Sequence, residues 1–289
     1  MILKNFIKRK MYTFYFLLHL ILKYTYRRFK LRNIIRNSKF RLFDLTKLKK
    51  NMSSVFILGS GSSLNKLGKK EWDVIKKSTS IGFNFSVIHD FVPDIYFFEL
   101  PRISKDRSKL LELLRANADR YSQTVIIAKD IKKSDFEYLK SMKFNILIPI
   151  DLNFAADNYS ELNKSIKIIK YLQKKKRLPK SILLKKRSTL VMIILLSWRL
   201  EFKQIVLCGV DLNNSSYFYE STRYSKIKHL IPTVNRSLVH KTVDPNYGRL
   251  TTDTIIYEIN NLILKHYGVK LFTAFESSLL NREIDSYFK

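Results

Sequence analysis

Small and polar residues follow a predicted strand near the start of the folded part of this chain. The apolar run at 55–58 (VFIL) ends abruptly in the loop 59–63 (GSGSS). Glycine lets the backbone approach a ligand closely, and a helix beginning beyond the loop would offer free N–H groups to an anion. The loop therefore predicts a nucleotide or phosphate site. Its sequence matches neither the G-x-G-x-x-G fingerprint nor a Walker loop, and a plain tight turn is the alternative interpretation.

Polar residues also stand at the ends of three other predicted strands. Asn84 ends the segment 80–84, Glu99 ends 94–99, and Asp211 follows 204–209. Four of the seven glycines lie at or beside these four strand ends. Because the carboxyl ends of parallel strands meet at one edge of a sheet, we expect these residues to share one site.

The elements that must position these residues alternate along the chain. Apolar runs also predict strands at 124–128, 145–150 and 269–273, and helical spacing occurs at 69–79, 104–121, 134–142, 155–175, 188–199 and 251–267. Alternation of this kind predicts an α/β fold, a Rossmann-like doubly wound sheet with mainly parallel strands. We assign residues 51–289 to this domain.

Residues 212–250 break the pattern. They are rich in Asn, Ser, Tyr, His and Pro and contain no long apolar stripe. A connection of this length in a compact domain is typical of a lid or binding loop. We therefore predict an inserted lid at about 212–250.

Residues 1–50 predict a basic, apolar leader that associates with a membrane. They carry +14 of the net charge of +30, and the apolar run at 11–22 is flanked by Lys and Arg on both sides. The run is too short to span a bilayer comfortably, which takes about 20 residues. It suits a segment lying in the interface of an anionic membrane. The alternative is an amphipathic helix packed on the domain.

Composition also limits the classes of site. Cys208 is the single cysteine, and no His, Cys, Asp or Glu spacing indicates a metal site, so we predict no bound metal and no cofactor. A net charge of +30 is typical of proteins that bind nucleic acid, so a nucleic-acid-binding protein is one alternative, although no binding motif is present. A kinase or nucleotidyltransferase on a related scaffold is the other alternative, although neither a Walker lysine nor a metal-binding carboxylate set is evident.

The order of the motifs resembles the bacterial sialyltransferases of glycosyltransferase family 42. The resemblance is distant and extends over 53–280. It rests on six motifs in order: VFILGSGSSL, IGFN, RST, IVLCGVD followed by SSY, TTD, and GVKLF leading to SSLL.

That resemblance implies a single GT-A-like variant fold with a mobile lid, a CMP-linked nonulosonic acid as donor, inversion at the anomeric carbon, and no metal. Tyr217 matches a lid tyrosine bonded to the leaving phosphate. The matched donor-binding positions are Gly59, Ser60, Gly61, Ser63, Asn84, Arg187, Ser188 and Thr189. The strand-end argument adds Glu99 and Asp211 to this set.

The chain departs from the family pattern at the catalytic histidine. Gly248 falls at the spacing of that residue, and His240 is the nearest histidine. Histidine titrates near neutrality and is the natural base for an acceptor hydroxyl, so we predict His240 as the base and Tyr217 as its catalytic partner. Glu99, which stands in place of an asparagine, is the alternative base.

Together these features predict an inverting, metal-independent glycosyltransferase. It would move sialic acid or a related nonulosonic acid from its CMP donor to lipopolysaccharide, lipooligosaccharide or capsule. The expected partners are that donor, a glycan or glycolipid acceptor and an anionic membrane surface, with a homo-oligomer suggested and no nucleic acid. The expected location is peripheral, at the cytoplasmic face of the inner membrane.

Overall fold

The computed structural model describes residues 11–36, 40–48, 53–100, 104–129, 131, 133–142, 144–213, 216–231 and 242–288. Ten strands occur in them: β1 (Arg41–Leu42), β2 (Ser54–Leu58), β3 (Thr79–Phe83), β4 (Ile95–Glu99), β5 (Val125–Lys129), β6 (Asn145–Ile148), β7 (Ile150–Asn153), β8 (Ile182–Lys185), β9 (Gln204–Cys208) and β10 (Lys270–Thr273). The helices are α1 (Tyr12–Arg36), α2 (Lys69–Lys76), α3 (Ser104–Ala116), α4 (Lys133–Lys140), α5 (Tyr159–Lys174), α6 (Thr189–Arg199) and α7 (Thr252–Ile259), which continues through a π-helical turn at Asn260–Leu264.

The predicted doubly wound parallel sheet is confirmed. Eight strands are ordered β1-β6-β5-β4-β3-β2-β9-β10, and β7 pairs with β8 in a separate two-stranded sheet. Every pairing between these strands is parallel. The strand order reverses between β2 and β9, and this switch point is where open α/β sheets bind ligands.

Both faces of the central sheet are covered. In β2, Val55 and Ile57 pack into one core with α1, α5, α6 and α7. Phe56 and Leu58 face the other core, which α2, α3 and α4 cover. Successive side chains of a strand point to opposite faces, so two covered faces require the continuous apolar run that the sequence shows. All eleven residues of α6 are buried, as its almost wholly apolar sequence predicts.

Two strand predictions were incomplete. The segment 145–150 was expected to be one strand, but it divides into β6 and β7, which belong to different sheets. Pro149 lies between them and has no N–H to donate to a ladder, which accounts for the break. The strand β8 was not predicted, because its three apolar residues, 182–184, do not distinguish a strand from a helical turn.

The leader contains a helix of 25 residues, α1, rather than a short apolar segment. Its side chains Tyr12, Phe16 and Leu20 belong to the same core as α5 and α6. The alternative of a helix packed on the domain is therefore observed for this face of α1. Among the described residues, no helix combines the length and apolarity needed to cross a membrane.

The first part of the predicted lid packs into the domain. Short 3₁₀ turns occur at Phe218–Glu220 and Thr222–Leu230. Phe218, Tyr219 and Tyr224 are buried in the core on the α3 side of the sheet. This part of the connection therefore has a hydrophobic anchor that its polar composition did not indicate.

Candidate functional site

A pocket of about 290 Å³ opens beyond the carboxyl ends of the strands, at the switch point between β2 and β9. Segments that are distant in sequence form its wall, since β2, β3, β4, β8 and β9 all end there. The lining residues are Ser60, Gly61, Phe83, Asn84, Glu99, Lys185, Arg187, Ser188, Thr189, Leu190, Gly209, Val210, Asp211, Leu212, Ser216, Tyr217, Thr242 and Thr252.

Glycines allow the loop after β2 to lie directly against the end of β9. The Gly61 N–H donates to the Gly209 carbonyl oxygen at 2.7 Å, and the Gly59 N–H donates to the Cys208 carbonyl oxygen at 2.8 Å. A Cβ at Gly61 would lie 2.7 Å from the Asp211 carboxylate and 2.8 Å from the Gly209 carbonyl oxygen. These contacts exclude a larger residue at Gly61.

Asp211 holds the same loop from the other side. One carboxylate oxygen, Oδ2, accepts from the Ser63 N–H at 3.0 Å and from the Ser62 hydroxyl at 3.2 Å. The Ser62 N–H donates to the Ser216 carbonyl oxygen at 3.2 Å. The backbone N–H groups that were expected to meet an anion are therefore used within the protein. The loop presents the Ser60 side chain to the pocket instead.

Three lining residues carry buried polar atoms that have no hydrogen-bond partner among the described residues. They are the Ser60 hydroxyl, the second carboxylate oxygen (Oδ1) of Asp211, and the Thr252 hydroxyl. We call these three residues the open cluster. A buried polar atom without a partner costs about 1–3 kcal/mol, so a ligand that formed hydrogen bonds with these three atoms would relieve that cost.

A second group of polar residues surrounds Glu99 at the end of β4, and its charged groups are paired. Glu99 accepts from the Lys185 ammonium at 2.7 Å and from the Thr189 hydroxyl, and the Lys129 ammonium forms an ion pair with it at 3.2 Å. We call these four residues the paired cluster. Burial raises the pKa of the Glu99 carboxyl, but the Lys129 and Lys185 charges more than offset this, so its pKa lies below the usual 4.5. Glu99 is therefore an anion and a weak base.

The N-terminus of α6 also faces the pocket. Ser188 caps the helix, because its side chain accepts from the Val191 N–H at 3.4 Å. Thr189 and Leu190, the first two helical residues, line the pocket. A helix N-terminus carries partial positive charge and adds to the Lys185 and Arg187 cations. This wall suits an anionic group.

Strained backbone is concentrated at the pocket. Five described non-glycine residues have positive φ, and three of them line the pocket: Asn84 (54°), Arg187 (66°) and Leu212 (61°). Such conformations persist only where surrounding structure imposes them, and they occur often at functional sites. At Asn84 the carbonyl oxygen accepts a hydrogen bond from the buried Tyr96 hydroxyl, which contributes to that constraint.

Arg187 lines the pocket and also contacts the C-terminal end of the predicted lid. Its guanidinium donates to the Thr242 carbonyl oxygen at 3.3 Å and to the Asp244 carbonyl oxygen at 3.4 Å. A Cβ at Gly248 would collide with this guanidinium. The residue at the family's histidine spacing is therefore a glycine that leaves room for Arg187.

Tyr217 is the tyrosine of the predicted lid that lines the pocket. It forms an isolated antiparallel bridge with Gly61, and its ring stacks on Tyr219 with the centroids 5.2 Å apart. Desolvation by burial raises the pKa of the Tyr217 hydroxyl, so it remains protonated at neutral pH and can donate a hydrogen bond. Tyr219 and Tyr224 are buried in the core instead.

The structure brings most of the predicted site residues together. Nine of them line the pocket: Ser60, Gly61, Asn84, Glu99, Arg187, Ser188, Thr189, Asp211 and Tyr217. Gly59 and Ser63 are outside this lining and contact the end of β9 behind it. His240, the predicted base, lies outside the described residues.

Three lining or supporting residues were not predicted. Lys185 and Lys129 end β8 and β5, and Thr252 begins α7. Lys129 is the last residue of β5, one position beyond the predicted strand 124–128, so it was not counted among the strand-end residues. Thr252 belongs to the TTD motif, but it was not among the predicted site residues. Lys185 had no signal, because β8 itself was not recognised.

Among the described residues, no group of three or more His, Cys, Asp or Glu side chains is arranged to hold a metal ion. Two further histidines in these residues have other environments. His89 is buried, stacks on Trp72 with the ring centroids 4.7 Å apart, and accepts from the Phe91 N–H at 2.9 Å. His229 is exposed.

No protein-family model matches the sequence, and no curated protein sequence matches it. Among solved structures, the chain is similar to sialyltransferases from Campylobacter jejuni, each with 16% sequence identity. The monofunctional alpha-2,3-sialyltransferase Cst-I has a TM-score of 0.47, with 83% of this chain and 82% of that chain covered. The sialyltransferase CstII in complex with cytidine-5'-monophosphate has a TM-score of 0.43, with 82% and 86% covered. These proteins are of the class that the motif order resembles, and the likeness is distant.

Proposed function

We propose that this chain is an inverting glycosyltransferase that moves sialic acid or a related nonulosonic acid from a CMP-linked donor to a cell-surface glycan. The observation that carries the proposal is the convergence of nine residues, predicted from separate motifs, on one pocket at the switch point of the sheet. That pocket combines a cationic wall with three buried polar atoms that lack partners in the part of the chain that the structure describes.

The two walls suit different parts of the donor. A CMP-nonulosonate carries a phosphate and a carboxylate, and these anions would lie beside Lys185, Arg187 and the N-terminus of α6. The nucleoside carries hydroxyl and amino groups, which would satisfy Asp211 and the other members of the open cluster. Each ligand hydrogen bond would satisfy a polar group that is already buried, so its desolvation cost is met before binding.

Tyr217 would stabilise the departing phosphate. Its hydroxyl remains protonated because burial raises its pKa. A neutral donor aimed at developing negative charge can stabilise a transition state without a metal. We accordingly propose a metal-independent reaction.

His240 remains the proposed base that deprotonates the acceptor hydroxyl. Glu99 is the weaker candidate, because its carboxylate accepts from Lys185 and Thr189 and its pKa is lowered. A base must have free capacity to take a proton near neutral pH.

The experiment that tests the function measures CMP release from CMP-sialic acid and related CMP-nonulosonates, with and without a galactose-terminated acceptor, in excess EDTA. We expect acceptor-dependent release that EDTA does not reduce. Failure to bind or cleave any of these donors would contradict the proposal. Loss of release in EDTA that Mg²⁺ or Mn²⁺ restores would contradict its metal-independent part alone.

The role of His240 is tested by comparing His240→Ala with His229→Ala, a matched change at an exposed histidine. We expect His240→Ala to reduce turnover by about 10²–10⁴-fold while CMP binding, measured by calorimetry, is unchanged. His229→Ala should retain wild-type turnover. Near-normal turnover of His240→Ala would exclude it as the base.

A further inference from the structure

Helix α1 has two apolar faces, of which the domain covers one. Tyr12, Phe16 and Leu20 lie on the covered face, with 5%, 1% and 9% of their surface exposed. The four-residue spacing places them on one side of the helix. Their neighbours in the core come from α5 and β7.

The opposite face of α1 exposes large apolar side chains. Of ten exposed large hydrophobic residues among those described, seven belong to α1 or immediately precede it. The outward face comprises Met11, Phe14, Leu18, Ile21, Leu22, Tyr26 and Phe29, each 43–70% exposed. At 3.6 residues per turn, this set lies about half a turn from Tyr12, Phe16 and Leu20. Exposed apolar surface of this extent marks a contact site.

Basic residues extend the outward face toward the end of the helix. Arg28, Arg32 and Arg36 are exposed, recur every four residues, and lie on the side of α1 that carries Leu18 and Phe29. Lys23 and Lys30 are also exposed, and α1 contains no Asp or Glu. The face therefore passes from apolar to aromatic and cationic along its length.

Polar contacts fix α1 to the domain. The Tyr12 hydroxyl donates to the Ala155 carbonyl oxygen at 2.7 Å and lies 2.7 Å from the Ser165 hydroxyl. Arg27 lies 3.7 Å from the Asp151 carboxylate. With its inner face buried and bonded in this way, the helix can offer only its outward face to another surface.

We propose that the outward face of α1 docks the domain on an anionic membrane surface. A bilayer interface accepts apolar side chains in its acyl boundary and aromatic side chains at its headgroups, while anionic lipids attract the Arg and Lys groups. A second copy of the chain would bring the same cations and no acid to the contact. Charge complementarity therefore favours lipid over self-association. This inference is independent of the proposed reaction.

The test is flotation of the full-length protein with vesicles of phosphatidylcholine and phosphatidylglycerol. We expect the wild type to float with them, and the double change Leu18→Glu/Ile21→Glu to reduce the bound fraction about tenfold or more. Val74→Glu is the matched control, because Val74 is an exposed apolar residue of α2. It should float like the wild type, and all three proteins should melt at similar temperatures.

A second variant tests the charge. Arg28→Gln/Arg32→Gln/Arg36→Gln should weaken binding to these vesicles by about fivefold for each cation removed. Unchanged flotation of the Leu18→Glu/Ile21→Glu protein would overturn the proposal. So would a wild type that ignores vesicles but forms dimers that this double change dissociates, because the outward face would then join two copies of the chain.

Discussion

Two groups of residues at the candidate pocket differ in whether their polar atoms have hydrogen-bond or ion-pair partners. In the paired cluster, the Glu99 carboxylate has two ammonium groups and the Thr189 hydroxyl as partners. In the open cluster, atoms of Ser60, Asp211 and Thr252 are buried without a partner among the described residues. Both clusters lie at strand or helix ends, so position alone does not explain the difference.

In the proposed function, the paired cluster builds the site and the open cluster binds the ligand. Removing one member of a buried ion pair leaves an uncompensated charge, which destabilises the fold. Removing a polar atom that has no partner relieves a desolvation cost, and the protein without ligand gains stability. Changes in the paired cluster should therefore lower the free energy of unfolding, and changes in the open cluster should weaken the binding of the donor.

Gly61→Ala should have the largest effect, because it disturbs the loop that carries the open cluster. Its Cβ would lie 2.7 Å from the Asp211 carboxylate and 2.8 Å from the Gly209 carbonyl oxygen. We expect a loss of about 2–3 kcal/mol in the free energy of unfolding and at least about a 100-fold weaker CMP Kd. Urea unfolding and calorimetry measure the two effects.

Gly68→Ala is the control for that change, since its Cβ would meet only the end of the flexible Glu71 side chain. It should bind CMP like the wild type. If Gly61→Ala also binds CMP normally, the loop does not hold the donor and the assignment of the open cluster is wrong.

Glu99→Ala should be the most destabilising change in the paired cluster. It leaves the Lys129 and Lys185 ammonium groups without their shared carboxylate. We expect a loss of about 3 kcal/mol in the free energy of unfolding, because a broken buried pair leaves unpaired charge. Glu112→Ala, at an exposed carboxylate of α3, should change this free energy by less than about 0.5 kcal/mol. Equal stability of the two variants would show that the paired cluster is not structural.

Thr252→Val should have a smaller effect, and the effect should be confined to binding. The hydroxyl lost in this change has no partner among the described residues, so stability should be unchanged or higher. We expect CMP to bind about 3–10-fold more weakly, the equivalent of one neutral hydrogen bond. Thr79→Val removes a similarly buried and unpaired hydroxyl at the start of β3, away from the pocket. If both variants bind CMP equally well, Thr252 does not contact the donor.

The smallest expected effect is a pH dependence from Glu99. Its folded pKa lies below the usual 4.5, so the carboxylate contributes stability above that value. This contribution is lost as the pH falls through the lowered folded pKa. Glu99→Gln cannot titrate, so its stability should fall less than that of the wild type between neutral pH and the acid side of 4.5. Identical acid profiles in urea unfolding would contradict the lowered pKa.

Much of the fold could be predicted because its signals are local. The alternation of apolar runs with helical spacing predicts the strands β2 to β6, β9 and β10, and the apolar sequence of α6 predicts its burial. The strand β8 carries no such signal in four residues. The division at Pro149 depends on which sheet each half joins, and that choice is made by partners far along the chain.

Within the site, the sequence determined which residues end strands and which motifs accompany them, because strand ends and glycine loops have local signatures. That was enough to predict that Ser60, Asn84, Glu99 and Asp211 lie at one pocket. Only the tertiary structure decided that Asp211 holds the loop, that Lys185 and Lys129 share Glu99, and that α1 is apolar on both sides. These facts depend on contacts between residues far apart in sequence, and spacing along the chain does not encode which groups are brought within hydrogen-bond distance.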